Sequence, residues 1–254
     1  MTPLDKTSDR PAYQQIADEL RYKIIMGDLS EGTKLPSERE LSAQYGSARV
    51  TVRQAIAVLR SEGLISTEHG RGIFVRRRRR IRRVAQSRLS TEARRMDKSA
   101  FKADTINVDY RPSVKVEIWA EGASSDIAEI LNIDPGDDVV VRDRIMYADD
   151  EPVQLATSYF ARRLAGGTAI EQEDSGPGGV YARLADLGRE PVRFVETLTS
   201  TMPSPDITRK LRLDSGTPII TIERIAYDSS DLAVEVNSMT LAADRYELVY
   251  EFHS

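Results

Sequence analysis

LPSERELSAQYG at residues 35–46 decides the fold of the N-terminal part of this chain, together with ARVTVRQAIAVLRSEGLI at residues 48–65. In the first stretch, Ser37 and Glu40 have the spacing of a capping box, in which the hydroxyl accepts a hydrogen bond from the Glu40 amide and the carboxylate accepts one from the Ser37 amide. This signature predicts a short helix over about residues 38–45, which the following glycine ends.

A second helix is predicted within the next stretch, because apolar residues recur there at the spacing i, i+3, i+4 and i+7, which places them on one buried face. This stripe consists of Val52, Ala55, Ile56 and Leu59. Arg49, Arg53 and Arg60 lie on the flank beside it. Two helices joined tightly at a glycine, the second with cations near its N-terminus, are typical of a helix-turn-helix whose second helix reads DNA.

The segments on both sides extend this unit. Upstream, Pro11 opens a helical pattern and Gly27 ends it, as proline does at a first turn and glycine at a C-terminus. Downstream, the β-rich runs LIST and IFV flank EHGRG, which predicts a hairpin, the wing of a winged helix-turn-helix. Gly70 and Gly72 lie in its turn, where the absence of a side chain lets the backbone approach a phosphate or the wall of the minor groove.

These three motifs, in this order, resemble those of the GntR family of bacterial regulators over about residues 11–75. The resemblance implies DNA contacts by the arginine after PSE, by both arginines of R-x-T-V-R and by the wing-tip glycine. The corresponding residues are Arg39, Arg49, Arg53 and Gly70, with Thr51 and Arg71 as helpers. For the arginines the alternative is a solvated helix face, and for the glycine it is an ordinary hairpin turn.

The cap of the second helix departs from the family pattern. The resemblance implies a serine immediately before R-x-T-V-R, and this chain has Ala48 there. Loss of an N-cap typically costs about 1 kcal/mol of stability. Ser47, one residue earlier, is the candidate replacement, and its use would shift the start of the helix by one residue.

The run RRRRRIRR at residues 76–83 predicts an extended linker over residues 76–86, because like charges repel each other and disfavour compact structure. A solvated linker and a linker that contacts phosphates are both consistent with this run. Residues 1–83 carry 17 Lys and Arg against 10 Asp and Glu, whereas the remainder carries 19 against 30. This asymmetry fits a DNA-reading head on a body that does not touch DNA, although the arginine run creates most of the excess.

The composition argues against enzymes, metal sites and membrane anchors. The chain has no cysteine, which excludes disulfides and thiolate zinc sites. Its two histidines, His69 and His253, are far apart, so a catalytic histidine–carboxylate pair or a multi-histidine metal site is poorly supported. We therefore expect no enzymatic activity, no cofactor and no metal. Because no apolar run reaches membrane-spanning length and the first residues lack a hydrophobic signal core, we expect a soluble, cytoplasmic protein.

The C-terminal part contains an internal repeat. Residues 126–147 match residues 206–227 without a gap, and 8 of 22 positions are identical. Each copy has the pattern of a short helix, a glycine-containing turn and a strand, and hairpin turns follow at residues 148–152 and 228–231. An α+β domain is therefore predicted over residues 87–254, with two related units on one largely antiparallel sheet and a cleft, or a related pair of clefts, between them.

This architecture resembles the ligand-sensing UTRA domain of the HutC subfamily of GntR regulators, whose fold is related to chorismate lyase, over about residues 87–252. The motifs that carry the resemblance include the VRDRI strand, the EPV…SYF hairpin and the closing VEVNSMTLAADRYELVYEF. The resemblance implies an effector held by Arg142, Arg144, Tyr159 and Glu235. The two arginines project from the same strand face, because side chains alternate along a strand.

Each effector candidate has a structural alternative. Arg144 has a counterpart in the repeat, Arg224, so both are candidates for structural ion pairs. Arg142 has no arginine counterpart, so the repeat does not require it. Glu235 is alternatively part of a surface salt bridge, and Tyr159 is alternatively a core residue.

Two further features bear on the effector. Ser90 and Thr91 begin a predicted helix, whose N-terminus is either an anion site or simply capped. Where sugar-phosphate-sensing relatives have a second glutamate and a tyrosine, this chain has Ala156 and Leu241. A pocket with fewer polar groups indicates a less polar effector, or none.

The sequence thus predicts an α+β protein with a winged helix-turn-helix at residues 1–75, a basic linker at 76–86 and a UTRA-like effector-binding and dimerisation domain at 87–254. The resemblance implies a homodimeric transcription regulator, a repressor rather than an activator, whose affinity for double-stranded operator DNA is modulated by a small-molecule effector. The alternative is a DNA-binding regulator or plasmid-maintenance protein with no metabolite effector. An enzyme related to chorismate lyase is the remaining rival, and the lack of a cysteine or histidine constellation argues against it.

Overall fold

The computed structural model describes most of the chain, which divides into two compact units. The described residues are 4, 7–68, 70–76, 80–85, 101, 104, 110–214 and 216–252. One unit contains residues 1–79 and 213–217, and the other contains residues 80–212 and 218–254. Among the helices that the structure describes, none combines the length and the apolarity that crossing a bilayer requires.

The N-terminal unit consists of three helices and a hairpin. The helices are α1 (Ala12–Ile25), α2 (Glu38–Tyr45) and α3 (Arg49–Ser61), and the strands of the hairpin are β1 (Ile65–Glu68) and β2 (Gly72–Val75). The predicted stripe of α3 is buried and packs in one cluster with Ile16 of α1 and Leu41 of α2. The winged helix-turn-helix expected from helical spacing and turn residues is therefore confirmed.

The two helices of the helix-turn-helix begin differently. At α2, the amide of Glu40 donates to Ser37 Oγ at 3.3 Å and the amide of Ser37 donates to Glu40 Oε2 at 2.8 Å, which completes the predicted capping box. At α3, the N-cap is Ala48, and no described side chain caps the first amides. The expected replacement by Ser47 is therefore wrong, because α3 begins at Arg49 and Ser47 lies outside the cap position.

The C-terminal unit is built on a six-stranded antiparallel sheet. Its strands are β4 (Pro112–Gly122), β5 (Asp138–Ala148), β6 (Glu151–Ala161), β7 (Arg193–Thr201), β8 (Ile219–Tyr227) and β9 (Ala233–Ala242). They lie in the order β4-β5-β6-β9-β8-β7. The described residues add the short helices α4 (Ser125–Leu131), α5 (Arg162–Ala165), α6 (Gly179–Asp186) and α7 (Pro205–Lys210), and 3-10 turns at Ala169–Glu171 and Ala243–Arg245.

The strand order displays the sequence repeat. The strands β6 and β9 pair at the centre, and each is flanked by the strand that precedes it in its own hairpin. Helix α4 precedes β5 as α7 precedes β8, and the equivalent residues after these helices, Asn132 and Arg212, both have a positive φ, 52° and 48°. The predicted internal repeat and the largely antiparallel sheet are confirmed.

The register of the sheet sorts the central side chains onto two faces. Arg142, Ser158, Asn237 and Arg224 pair in one row across β5, β6, β9 and β8. Because successive side chains alternate between faces, Arg142 and its row share one face, and the neighbouring Tyr159 lies on the other. Helix α4 covers that other face through an apolar cluster that includes Tyr159.

A second, two-stranded sheet pairs β3 (Ile81–Val84) in parallel with β10 (Tyr246–Val249). The side chains of β3 alternate: Ile81 and Arg83 are buried, and Arg82 between them is exposed. This strand therefore contributes to the core of the C-terminal unit although it follows directly on an arginine run.

Strand β3 corrects the linker expected over residues 76–86, of which residues 77–79 and 86 lie outside the described residues. At residues 81–84 the backbone is extended, as expected, but it is not solvated. The backbone of β3 pairs with β10, and Ile81 belongs to an apolar cluster of the C-terminal unit. Repulsion between like charges does not keep this segment solvated, because side chains alternate along the strand, so that Arg83 is buried and Arg82 is exposed. The other domain boundaries stay predictions.

The variant Ile81→Ala is expected to destabilise the C-terminal unit by about 2–5 kcal/mol, because it removes buried methyl groups. Arg82→Ala, on the same strand, is the control and should change the free energy of unfolding by less than about 0.5 kcal/mol, since its side chain is exposed. Trp119 on β4 is the single tryptophan of the chain, so its fluorescence in urea reports the unfolding of this unit. Small and equal effects of both variants would show that β3 is not part of the fold.

Candidate functional site

The helix-turn-helix presents cations to solvent. Arg39 on α2 and both Arg49 and Arg53 on α3 are exposed, whereas Thr51 is half-buried. The buried stripe of α3 occupies a different part of the helix circumference, because residues advance by about 100° along a helix. The three arginines predicted from the sequence are therefore accessible to an external anion.

One of these arginines is held by the neighbouring helix. Arg53 Nη2 lies 3.1 Å from Glu38 Oε2, and Arg53 Nε lies 3.3 Å from the same oxygen. The hydrogen bond and the charge of Glu38 raise the pKa of Arg53. The pair joins the first turn of α2 to α3 and limits the positions of the guanidinium, while the arginine side chain stays 68% exposed.

The turn between β1 and β2 presents backbone at its tip. Gly70 is exposed there with a φ of 73°, and a side chain added to it would meet open space. Gly72 has a φ of 123°, and a Cβ at this position would lie 2.7 Å from the Lys34 side chain. Arg71, between the two glycines, forms an ion pair with Glu68 inside the hairpin. The predicted wing residues thus lie at one exposed turn.

In the C-terminal unit, a cavity of about 470 Å³ opens on the sheet face that carries Arg142. This volume is within the range of small-molecule sites. Its wall combines strands of the sheet with the segment at residues 173–181. The polar side chains of the sheet and of α6 in this wall are Arg142, Arg144, Gln154, Tyr181, Arg224, Glu235 and Asn237. The cavity is therefore rich in guanidinium groups.

Arg142 forms its hydrogen bonds with backbone carbonyl groups. Its guanidinium donates to the carbonyl oxygens of Ile170 and Gln172, both at 2.5 Å, and of Glu173 at 3.1 Å. Burial and then the nearby charge of Arg144 lower the pKa of Arg142 to about 10. Three of its five N–H donors thus anchor one wall of the cavity, and few are left for a ligand.

Arg144 has only neutral hydrogen-bond partners among the described residues. It donates to the hydroxyl of Ser158 and, at 3.5 Å, to Oδ1 of Asn237. Its Nε is buried, and in the described part of the chain it has no acceptor. Burial lowers the pKa of Arg144, although the charge of Glu235 opposes this. A half-buried guanidinium whose described partners are all neutral favours an anionic ligand.

The repeat explains why Arg144 and Arg224 differ. They occupy equivalent positions, but the edge strand opposite Arg224 supplies Glu196, whereas the edge strand opposite Arg144 supplies Val116. Glu196 Oε1 accepts hydrogen bonds from Arg224 Nε at 2.8 Å and from Nη2 at 2.6 Å. The structural ion pair considered for both arginines is therefore present at Arg224, and in the described part of the chain Arg144 has none.

Glu196 is also the partner of a residue from the expected linker. It accepts from Arg83 Nη2 at 2.5 Å and from the Tyr250 hydroxyl at 2.9 Å. Burial raises the pKa of Glu196, but the hydrogen bond from Arg83 and the charges of Arg224 and Arg83 outweigh this and lower the pKa to about 2. Sequence reasoning missed this group. The difference between Glu196 and Val116 at equivalent repeat positions is the signal that could have found it.

Glu235 faces the cavity from β9. It is 2% exposed, and it accepts from the Tyr181 hydroxyl at 2.6 Å. Burial, and then the charge of Glu235, raise the pKa of Tyr181. The surface salt bridge considered for Glu235 is wrong, because the carboxylate is buried and no described cation lies within 4.0 Å of it. Sequence reasoning did not predict Tyr181, which lies on α6 outside the repeat.

The structure does not bring Tyr159 to this cavity. Its side chain lies on the opposite sheet face and packs in the cluster that contains Val141 and Val236. The prediction that Tyr159 contacts the effector is therefore wrong, and its alternative, a core residue, is what the structure shows. Strand alternation separates it from Ser158, whose hydroxyl on the cavity side binds Arg144.

The expectation of a less polar pocket is also corrected. Ala156 and Leu241 are buried, and neither lines this cavity. Their apolar side chains therefore say nothing about its polarity, which three guanidinium groups and one buried carboxylate determine. Four residues named in the sequence analysis lie outside the described residues: His69, Ser90, Thr91 and His253.

Two family models match this chain. The model of bacterial regulatory proteins, gntR family, matches residues 12–75, and the model of the UTRA domain matches residues 110–247, more than half of the chain. The chain belongs to the GntR family. Its helix-turn-helix lies in the GntR match, and its six-stranded sheet lies in the UTRA match, which confirms the resemblance described from the sequence.

Relatives and solved structures agree with this membership. The repressor NagR of Bacillus subtilis is 27% identical over 249 residues, which cover 97% of each chain. The regulator GgaR of Escherichia coli is 27% identical over 245 residues, 95% of this chain and 91% of that one. A crystal structure of a GntR-family regulator, 26% identical, has a TM-score of 0.62 and covers 97% of this chain and 99% of that one. PhnF from Mycobacterium smegmatis, 24% identical, shares the fold with a TM-score of 0.61, over 94% of this chain and 99% of that one.

These relatives are transcriptional regulators, a class of proteins without enzymatic activity. This GntR-family protein is accordingly a transcriptional regulator with a helix-turn-helix that binds DNA, and not an enzyme. Its UTRA domain contains the cavity described above.

In this GntR-family regulator, Glu196→Gln is expected to destabilise the UTRA domain by about 3–5 kcal/mol at neutral pH, because it leaves two buried guanidinium groups without a carboxylate. The cost should shrink as the pH falls below about 4.5. The pKa of Glu196 is lowered to about 2 in the fold, so its stabilisation is complete above the unfolded pKa and is lost towards the folded pKa. Urea unfolding followed by Trp119 fluorescence over this pH range measures the difference, and a difference that stays constant would contradict the ion pairing.

Proposed function

We propose that this protein is a cytoplasmic, homodimeric repressor whose affinity for operator DNA is modulated by a small polar effector bound in the UTRA domain. One observation carries the effector part: Arg144 and Glu235 line the same cavity, and among the described residues neither has an ion-pair partner. Desolvated charges are costly unless a partner completes them. The relative NagR is a repressor by name, which supports repression over activation.

A two-fold symmetric dimer fits this function, because two identical heads match the two half-sites of a pseudo-palindromic operator. In each head, α3 lies in the major groove, where Arg49 and Arg53 donate bidentate hydrogen bonds to guanine edges. Arg53 leaves Glu38 when it does so. Their ion pair is exposed and is screened by water and salt, so a guanine edge readily replaces the carboxylate.

The other predicted contacts orient the head and do not read sequence. Arg39 on α2 donates to a phosphate, and Thr51 assists from α3. The exposed backbone of Gly70 approaches the minor groove, and Arg71 exchanges Glu68 for a phosphate in the same way as Arg53 exchanges Glu38. Contacts of this kind fix the register of the protein on the duplex but distinguish bases only weakly.

Arg53→Ala is expected to lower the affinity for the operator by about tenfold to a hundredfold, because a bidentate base contact provides about 1–3 kcal/mol of discrimination. The affinity for unrelated DNA should change much less. The operator is obtained by selecting random duplexes with the wild-type protein, and both affinities are measured by fluorescence anisotropy at one fixed salt concentration, since phosphate contacts depend on salt.

Arg60→Ala is the matched control for this experiment. It removes the same charge from the same helix, but the Arg60 guanidinium is directed to Thr67 of the hairpin, at 2.6 Å from its hydroxyl. We expect it to weaken binding to both DNAs slightly and alike. An equal loss on operator and unrelated DNA for Arg53→Ala would refute base reading by Arg53.

The cavity favours an effector with an anionic group and a hydrogen-bonding group. The anionic group binds Arg144, which has neutral partners only among the described residues, and a hydroxyl or amine binds Glu235. Arg142 contributes by fixing the cavity wall through the carbonyl of Ile170 and its neighbours. Arg224 is neutralised by Glu196 and is not a first contact for the ligand.

A panel of sugar phosphates, organic acids and apolar lactones is expected to give thermal stabilisation by an anionic member. A ligand at about 100 times its dissociation constant adds about 2.7 kcal/mol. Arg144→Gln should abolish the shift of an anionic hit, because it removes the charge and keeps an amide. Tyr159→Phe, a change on the opposite sheet face, should keep the shift.

The outcomes separate the candidate functions. A hit that Arg144→Gln binds as tightly as the wild type would contradict the anion site, and hits among the lactones alone would contradict a polar effector. A flat panel with intact operator binding would favour the alternative, a DNA-binding regulator or plasmid-maintenance protein with no metabolite effector.

A further inference from the structure

A chain of polar contacts leads from the cavity to β3. It begins at Glu235, which accepts from the Tyr181 hydroxyl at 2.6 Å, and the same hydroxyl oxygen accepts from Arg224 Nη1 at 3.4 Å. Arg224 then shares the carboxylate of Glu196 with Arg83 of β3. Glu235, Arg224 and Arg83 are buried, and the side chain of Glu196, on the edge strand β7, is 7% exposed. The cavity and β3 are thus connected by hydrogen bonds without an exposed charge between them.

The partner strand β10 is tied to the same region. Tyr250, immediately after β10, donates to Glu196 at 2.9 Å. Tyr246, the first residue of β10, donates to Oε1 of Gln154 at 3.2 Å, and Gln154 lines the cavity. Both strands of the two-stranded sheet are therefore attached to groups at or next to the cavity.

Strand β3 is also the element that continues the chain after the wing. Only residues 76–80 separate the end of β2 at Val75 from the start of β3 at Ile81. The covalent connection between the hairpin of the DNA-binding unit and β3 is therefore short.

We propose that the contacts Glu235–Tyr181–Arg224–Glu196–Arg83 couple occupancy of the cavity to β3, and through β3 to the DNA-binding unit. This inference rests on the proposed effector function of the cavity and names the route of its regulation. Arg83 and Glu196 are positioning residues in this route, because neither touches the ligand site directly.

The two buried guanidinium groups are coupled through one acceptor atom that they share. Arg83 Nη2 and Arg224 Nη2 both donate to Glu196 Oε1, at 2.5 and 2.6 Å. A ligand group that donates to Glu235 competes with Tyr181 for the carboxylate, and the displaced hydroxyl changes its contact with Arg224. Because the side chains of Arg83 and Arg224 are at most 4% exposed, water compensates a changed contact poorly, and a change at one guanidinium alters the bond of the other.

The test uses amide hydrogen exchange of the full-length protein without ligand. Tyr181→Phe removes the hydroxyl that joins Glu235 to Arg224 and keeps the ring. We expect the amides of residues 81–84 to exchange roughly tenfold faster, a size of effect that local opening and contact coupling produce. The amides of residues 139–141 in the buried strand β5 should keep their rates. Tyr159→Phe, the same change on the opposite sheet face, should leave both segments as in the wild type.

An acceleration confined to residues 81–84 supports the coupling. No acceleration, or an equal one at residues 139–141, overturns it. If Tyr181 had a purely local role, its loss would destabilise the cavity without a specific effect on β3. If Tyr181→Phe fails to fold, Glu235→Gln takes its place with the same expectation and the same overturning results. In a Glu196→Gln background, Tyr181→Phe should have no further effect on residues 81–84, and additive effects would overturn the route through Glu196.

The exchange experiment and the effector panel fail independently. The exchange experiment contains no ligand, so a flat panel would defeat the proposed effector function and leave an exchange result intact. A panel with a clear hit, together with unchanged exchange at residues 81–84 in Tyr181→Phe, would defeat only the route proposed for the coupling.

Discussion

The need to satisfy guanidinium groups away from water shapes the UTRA domain more than any other constraint. Four of its buried or half-buried guanidinium groups show this: Arg83, Arg142, Arg144 and Arg224. An uncompensated buried charge costs several kcal/mol, so each group dictates what surrounds it. Backbone carbonyls after Ala169 turn towards Arg142, and Glu196 fixes both Arg224 and the strand that carries Arg83. Arg144 is the remaining group, and the cavity lies where its charge has no counterpart among the described residues.

The divergence of the repeat creates this asymmetry. In a fully symmetric sheet, the arginine of each copy would meet the same residue on its edge strand. Here one copy supplies Glu196 and the other Val116, so the same side chain forms a structural ion pair in one half, whereas in the other half its partners among the described residues are all neutral. The repeat therefore predicts the sheet well and the function of its arginines badly, because function depends on where the copies differ.

The helix-turn-helix was predictable from sequence because its signals are local. The capping box at Ser37 and the apolar stripe that begins at Val52 act within a few residues and need no distant partner. The exception is the start of α3, where Ala48 leaves the first amides without a side-chain cap among the described residues. Tertiary packing of the stripe supplies the stability that a cap would have added. Rules based on local sequence preference do not include this packing energy.

The site in the UTRA domain was predictable only in part. Alternation placed Arg142 and Arg144 on one face, but it does not say which face carries the cavity, so Tyr159 was assigned to the wrong side. Arg83 was hidden in a run of arginines that suggests solvated chain, and its partner Glu196 lies 113 residues away. Pairings over such distances become visible only when the fold sets the two strands side by side.

The ion pair of Glu38 in the head and the ion pairs of Glu196 in the UTRA domain differ in their exposure to solvent. In the head, Glu38 holds an arginine that is 68% exposed, so water and salt already weaken the pair, and another anion displaces the carboxylate at little cost. In the UTRA domain, Glu196 holds arginines that are at most 4% exposed, so solvent has little access to replace a lost partner. An exposed pair therefore suits a surface that must exchange partners, whereas a buried pair suits a connection that must move as one piece. In the function proposed above, Arg53 releases its carboxylate to read DNA, and the buried contacts of Glu196 respond together to carry a signal from the cavity.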